Sequence, residues 1–324
     1  MEYTAVIRTL GTAGEKYRQL LYSLDKQTVR PREIIVYIAE GYPLPKETIG
    51  YERYVYVEKG MVAQRALRYE EVKTEYILFL DDDLYLSEDA VMTLYRHLVA
   101  NDADVISPDV FPNAKRSFWG KIMMAVSGRM MARRDDGKWG YKVMRNGGYS
   151  YNSRPVSEVY LSQTNAGACF FCSKSNFLKI RFEEELWLDK LKYPLGEDQI
   201  MFYKMYLTGL KLLTWFGSGI VHLDGGNNLQ NKAKSRSLVY ADLRFKIIFW
   251  HRFVFLPESS VVLKLWDIAC LAYLLVFTIV VSLVKFNFDI LKLKLKAIKD
   301  GYDFIKSGEY RSIPLITKKL CNKD

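Results

Sequence analysis

Three consecutive carboxylates, Asp81, Asp82 and Asp83, follow the apolar run Tyr76-Ile-Leu-Phe-Leu80. Like charges at the end of a buried strand repel one another and lose hydration, so they call for a compensating cation or a solvated turn. On an extended segment alternate side chains share a face, which puts Asp81 and Asp83 together and turns Asp82 away. Two hard carboxylate oxygens at a strand end suit Mg2+ or Mn2+, ions that complete their shells with water and phosphate oxygens. By itself the triplet leaves both readings open.

Three other groups of residues have types and spacings that could take part in chemistry. Gly60-Met-Val-Ala-Gln-Arg65 reads as a helix start carrying an arginine, and both suit a diphosphate. Pro194-Leu-Gly-Glu-Asp-Gln199 places Glu197 and Asp198 after a glycine turn at the head of a helix. There they are either macrodipole-favoured helix acids or a general base at the lip of a site. His222, one of three histidines, ends Gly219-Ile-Val-His222 and precedes Gly225-Gly226. It reads as a structural histidine or, beside an acid pair, as a third metal ligand. Cys169 and Cys172 have C-x-x-C spacing, but in a strand-like run residues three apart face opposite ways, so plain packing is expected.

The elements that must position these residues alternate between strand and helix. Thr4-Ala-Val-Ile-Arg8, Glu33-Ile-Ile-Val-Tyr-Ile38, Tyr54-Val-Tyr-Val57, the 76–80 run and Val105-Ile106 read as strands, with helices over 14–27, 60–71 and 87–100. This pattern predicts a mostly parallel sheet covered on both faces, with ligands bound beyond the carboxyl ends of the strands. Residues 111–160 break the alternation with Arg116, Lys121, Arg129, Arg133, Arg134 and Arg145 among tryptophans and tyrosines. That excursion is either an acceptor-binding region or a solvated basic insertion. A helix over 198–207, a strand over 211–216 and the His222 segment follow.

The chain has 324 residues, 23 of them tyrosine, and a formal net charge of +10 from 47 basic and 37 acidic residues. That balance favours polyanions: nucleic acid, phosphorylated ligands or an anionic membrane. No nucleic-acid recognition motif is present, so no nucleic-acid partner is expected. The amino terminus lacks the basic and apolar regions of a cleavable signal peptide, and four cysteines make no disulfide framework. A reducing, cytoplasmic compartment is expected.

The carboxyl-terminal part differs in kind. Residues 237–256 mix basic and apolar residues, and 268–284 carry no charge over 17 positions, roughly 25 Å as a helix. A lysine-rich amphipathic stretch follows. Both flanks of the apolar segment are basic, so charge does not orient it. The expectation is association with an anionic membrane surface, either by spanning or by insertion into one leaflet between two basic amphipathic helices lying on headgroups.

Taken in order, the Arg65 segment, Leu80-Asp-Asp-Asp83, Asn165-Ala-Gly-Ala-Cys-Phe-Phe-Cys172, Phe182-Glu-Glu-Glu-Leu186, Gly196-Glu-Asp198 and Val221-His222 resemble the family-2 inverting glycosyltransferases of bacterial surface-glycan type, over roughly residues 3–255. The resemblance implies a GT-A (nucleotide-diphospho-sugar transferase) fold, α/β, with a Rossmann-like mixed sheet flanked by helices, plus carboxyl-terminal membrane-associating helices. It implies a catalytic domain over 1–236, with 111–160 on the acceptor side, then a basic amphipathic helix over 237–256, an apolar membrane helix over 257–285 and a basic tail over 286–324. Asp81 and Asp83 match the family's D-x-D, which holds Mn2+ or Mg2+ and the nucleotide-diphosphate sugar donor. Arg65 is implied near the diphosphate, Asp198 as the base that deprotonates the acceptor, Glu197 as its helper, and His222 as a late metal or diphosphate ligand. Asn165 and Gly167 are implied at the donor sugar.

The chain departs from the family's pattern at two strand ends. Glu40 stands where the family has a base-reading Asp, and Arg8-Thr9-Leu10 replaces its usual first-strand ending, leaving Thr9 at the nucleotide. The polymer-synthase Q-x-x-R-W signature is absent, which argues against a processive synthase. The implied function is metal-dependent sugar transfer to a saccharide or lipid-linked acceptor at the cytoplasmic face of the plasma membrane. Polyprenyl phosphate as acceptor, or a non-catalytic nucleotide-binding scaffold, are the rival readings.

Overall fold

The computed structural model describes residues 1–110, 117–223 and 232–319. Four strands, β1 (Tyr3–Thr9), β2 (Glu33–Ala39), β3 (Glu52–Val57) and β4 (Tyr76–Asp81), run parallel in the order β3-β2-β1-β4. β1, β2 and β4 are near-continuous apolar runs because helices and loops bury both of their faces. Beyond β4 the sheet becomes mixed. β10 (Cys169–Ser173) is inserted antiparallel between β4 and β6 (Val105–Pro108). β11 (Leu212–Trp215), β9 (Val159–Ser162), β7 (Trp139–Val143) and β8 (Tyr149–Tyr151) complete ten strands. A separate antiparallel pair joins β5 (Leu84–Leu86) to β12 (Ile220–His222).

Alternation along the strands divides the interior into two cores. Tyr3, Ala5, Ile7, Ile34, Val36 and Leu78 face α1 (Glu15–Asp25) and α2 (Ala90–Ala100). Val6, Ile35, Ile77 and Phe79 pack with the side of α5 (Glu197–Leu207) that carries Ile200, Met201 and Met205. Each large apolar side chain so buried contributes about 1.5–3 kcal/mol. Cys169 and Cys172 are both fully buried, one in each core, as their odd spacing on a strand requires.

Two expectations about elements are corrected. Residues 60–71 form a turn over 61–65 and a second turn at 70–71 rather than a helix. The Asp189 carboxylate accepts hydrogen bonds from the backbone N–H groups of Val62 and Ala63, capping the first turn, and Tyr69 at φ 52° diverts the chain from a helical path. The 237–256 segment is not laid out on the surface. It forms the end of α6 (Lys232–Phe249) and a π-helical turn (Trp250–Phe255), and Phe245, Ile247, Ile248, Phe249 and Phe253 are buried in the protein.

Buried Arg252 in this turn makes a bidentate pair with Glu185, at 2.9 and 2.7 Å, and Lys204 of α5 holds the same carboxylate at 2.9 Å. The basic residue therefore serves an internal joint. After it come α7 (Val261–Val284) and α8 (Phe288–Lys306), the latter packed along α6, and the short α9 (Gly308–Ser312). The 111–160 excursion contributes α3 (Phe118–Val126), β7 and β8, while Arg116 lies outside the described residues.

Candidate active site

β1 and β4 are adjacent and parallel, and their register sets Arg8 opposite Asp81 at the carboxyl ends. The Arg8 guanidinium donates to Asp81 Oδ1 at 2.5 Å and Oδ2 at 3.2 Å, and reaches Glu197 Oε1 at 3.5 Å. Arg65, only 3% exposed, donates to Asp81 Oδ1 at 3.2 Å, to the Gly167 carbonyl at 2.5 Å and to Asp198 Oδ1. Two guanidiniums thus knit the strand-end acid to the two acids that open α5.

Local sequence makes this convergence possible. Gly196 begins α5 at φ 92°, in the left-handed region, and a Cβ there would overlap the Phe245 ring. A Cβ on Gly167 would overlap both Asp198 and Arg65. These two glycines leave room for the acid–arginine lattice.

The charges are unequal in their responses. Burial alone would raise the Asp81 pKa, but Arg8, Arg65 and His222 overcome it and hold this carboxyl below its usual range. Glu197 is pushed up to about 7, first by burial and then by neighbouring Asp198, despite relief from Arg8 and Arg65. Asp82 is pushed up to about 6 by burial and by its two neighbouring acids, although its carboxylate accepts the Thr9 hydroxyl.

The triplet does not continue extended. β4 stops at Asp81, and Asp82-Asp83 form the turn into β5, so strand alternation does not govern which of the three share a side. Pairing of β5 with β12 instead sets Asp83 beside His222, with Asp83 Oδ1 and His222 Nε2 3.5 Å apart. A carboxylate oxygen and an imidazole nitrogen at that separation can occupy neighbouring positions around one small divalent ion. Among the described residues no group of three or more His, Cys, Asp or Glu side chains is arranged to hold a metal. Asp224, Gly225 and Gly226 lie outside the described residues.

A cavity of about 960 Å3 opens over this lattice. Asp81, Asn165, Glu197, Asp198 and His222 line it, opposite Lys121 and Arg129 from the 111–160 excursion. Asn165 is fixed by donation to Thr214 Oγ1 at 3.0 Å. Arg65, Thr9 and Gly167 are buried and do not line it, nor does Glu40, which is exposed in the turn after β2. The sequence reading did not single out Arg8, Asp109, Phe245 or Lys246, which contribute to the lattice or the wall. For Arg8 a signal existed: an arginine closes an apolar strand run just as Asp81 does.

No family model and no curated protein matches the sequence. Among solved structures, S. aureus TarS 1–349 superposes with TM-score 0.53 at 14% identity, over 94% of this chain and 81% of that one. A longer S. aureus TarS structure gives TM-score 0.46 at 14% identity over 85% and 43%, and GalNAc-T7 with UDP, GalNAc and Mn2+ gives 0.48 at 16% identity over 83% and 55%. The first likeness is one of fold. The mixed sheet flanked by helices is like that of GT-A glycosyltransferases, the fold class the ordered motifs implied.

Proposed function

We propose that the chain is a glycosyltransferase that moves a sugar, with inversion, from a nucleotide-diphosphate donor to a hydroxyl of a saccharide or lipid-linked acceptor. We place it at an anionic membrane surface on the cytoplasmic side. The observation that carries this reading is the single cavity in which Asp81, Asn165, Glu197, Asp198 and His222 meet at the carboxyl ends of β1 and β4 and the head of α5. Its volume suits a nucleotide sugar.

Asp198 is the base in this scheme. Its side chain is 33% exposed, whereas that of Glu197 is 7% exposed, and Arg65 grips one Asp198 oxygen and so orients the carboxylate. Asp198 takes the proton of the acceptor hydroxyl, whose oxygen forms a bond to the anomeric carbon as the bond to the diphosphate oxygen breaks. No covalent intermediate is needed. Glu197 and Arg8 set the position and charge of the lattice around Asp81. Mn2+ or Mg2+ would be held by Asp83 and His222, and when bound would offset the charge of the departing diphosphate.

Lys121 and Arg129 on the opposite wall favour a second reading of the acceptor, as a phosphate-bearing lipid such as a polyprenyl phosphate.

Nucleotide release from a panel of nucleotide sugars, with saccharide and lipid-phosphate acceptors, tests the proposal. Asp198→Asn is expected to lower turnover by about 10²–10⁴-fold while leaving the circular dichroism spectrum unchanged. Intact turnover in that variant would remove the base assignment, and no release from any donor would remove the enzymatic reading.

A further inference from the structure

α7 is long and apolar enough to cross a bilayer. Its two sides are nevertheless unlike. At 3.6 residues per turn, Val262, Leu265, Tyr273, Val276, Val280 and Leu283 fall within an arc of about 80°, and each is 43–74% exposed. Asp267, Leu271, Leu274, Thr278 and Ser282 fall on the opposite arc, toward the protein.

That inner side is tied down by polar contacts near both ends. Asp267 accepts from Arg145 at 2.7 Å, and Lys294 of α8 donates to the Thr278 carbonyl at 3.0 Å and to Ser282 Oγ at 2.8 Å. From Asp267 to Ser282 is roughly 22 Å along the axis. A membrane-crossing α7 would carry Arg145, Lys294 and the elements that bear them into hydrocarbon.

A second apolar element lies alongside. None of the nine residues of α3 is buried, and Phe118 and Trp119 are each 72% exposed. The opposite side of α3, with Lys121 and Met124, forms part of the cavity wall. The Tyr273 hydroxyl of α7 donates to the Val126 carbonyl at the end of α3, at 2.6 Å. Exposed Lys285, Lys292 and Lys299 follow on the chain after the apolar stripe.

We infer that α7 lies in the plane of one leaflet of an anionic bilayer, stripe downward, and that α3 inserts beside it and brings the cavity to the headgroup layer. Apolar residues along one side, aromatic side chains at the boundary and lysines beyond fit an interfacial helix. A second protein copy would leave the lysines uncompensated. The inference rests on the membrane-surface reading above, but not on the assignment of catalytic residues.

The test uses the full chain with Cys270→Ala and Cys321→Ser, and one environment-sensitive fluorophore at Val262→Cys, Tyr273→Cys, Leu283→Cys or Trp119→Cys. Each is mixed with phosphatidylcholine vesicles with and without phosphatidylglycerol, brominated at shallow or deep acyl positions. Binding that needs phosphatidylglycerol, with shallow quenching at all four positions, is the expected result. Deep quenching at 273 with shallow quenching at 262 and 283 would mean a crossing helix and overturn the inference alone. Failure to bind vesicles, or a stable dimer that shields all four labels, would remove the membrane reading with it. Phe118→Ala combined with Trp119→Ala should weaken vesicle partitioning by about tenfold or more, with unchanged circular dichroism and unchanged nucleotide release in detergent. Unaltered partitioning, or a solvent-exposed label at 119, would overturn the role of α3.

Discussion

Two buried ion clusters draw on α5, one at its head and one two turns along, and are built on different plans. At its head, Arg8 and Arg65 face three carboxylates, Asp81, Glu197 and Asp198, and the cluster opens into a cavity. Farther along, Lys204 and Arg252 meet Glu184 and Glu185 in a joint whose central carboxylate is fully buried. Trp187 adds a hydrogen bond to Glu185 at 2.7 Å. Arg181 adds a further base to Glu184 at 3.0 Å, and acids fully matched by bases in a closed geometry make the second cluster a fastening between the sheet domain and the carboxyl-terminal helices. The surplus of acid and the open side of the first suit a cationic or proton-donating ligand. The position of an ion cluster in the fold says less about its purpose than whether its charges are already matched.

Breaking the closed cluster should give the largest change in stability. Arg252→Met strands Glu185 beside Lys204 and is expected to lower the unfolding free energy by about 3–5 kcal/mol, read from denaturant midpoints. A loss under about 1 kcal/mol would place the joint with ordinary surface ion pairs.

The open cluster should instead reveal itself through pH. Burial and neighbouring Asp198 push the Glu197 carboxyl up from an ordinary 4.5 to about 7 in the folded chain. Below about 4.5 both states hold the proton. Between there and about 7 the unfolded chain has released it and the folded chain has not, so native stability falls as pH rises through that window and then levels. The expected decline is on the order of 3 kcal/mol. Glu197→Gln should flatten it in midpoints taken from pH 5 to 8, and parallel curves for the two proteins would refute the assignment.

The smallest expected effect concerns the metal. Mn2+ at tenfold over its dissociation constant should stabilise the folded chain by about 1.4 kcal/mol, and Asp83→Asn should abolish the gain in a thermal-shift titration. Retention of the shift in that variant would move the ion away from Asp83 and His222.

Much of the site was legible as a list of members but not as an arrangement. Asp81, Asp198 and Arg65 each sit where apolar patterning changes to a turn, and such places are visible in one dimension. Arg8 was passed over because its importance depends on β1 lying beside β4 in a fixed register. The helix expected over 60–71 failed for a similar reason, since its cap, Asp189, comes from more than a hundred residues away. The basic character of 237–256 suggested a surface, yet Arg252 and the aromatics around it pack inward against Glu185 and α5.

The sequence by itself determined the alternation of strands and helices, the two-sided burial of β1, β2 and β4, the acids and glycines at the ends of elements, and an apolar stretch long enough for a bilayer. These follow from periodicity and local propensity, which act over a few residues. Tertiary structure alone decided the antiparallel insertion of β10, the approach of His222 to Asp83, the two arginines between the acids, and the division of α7 into a protein side and an exposed side. Each depends on partners distant in the chain, and an ion pair or a buried face is defined only once both partners are in place.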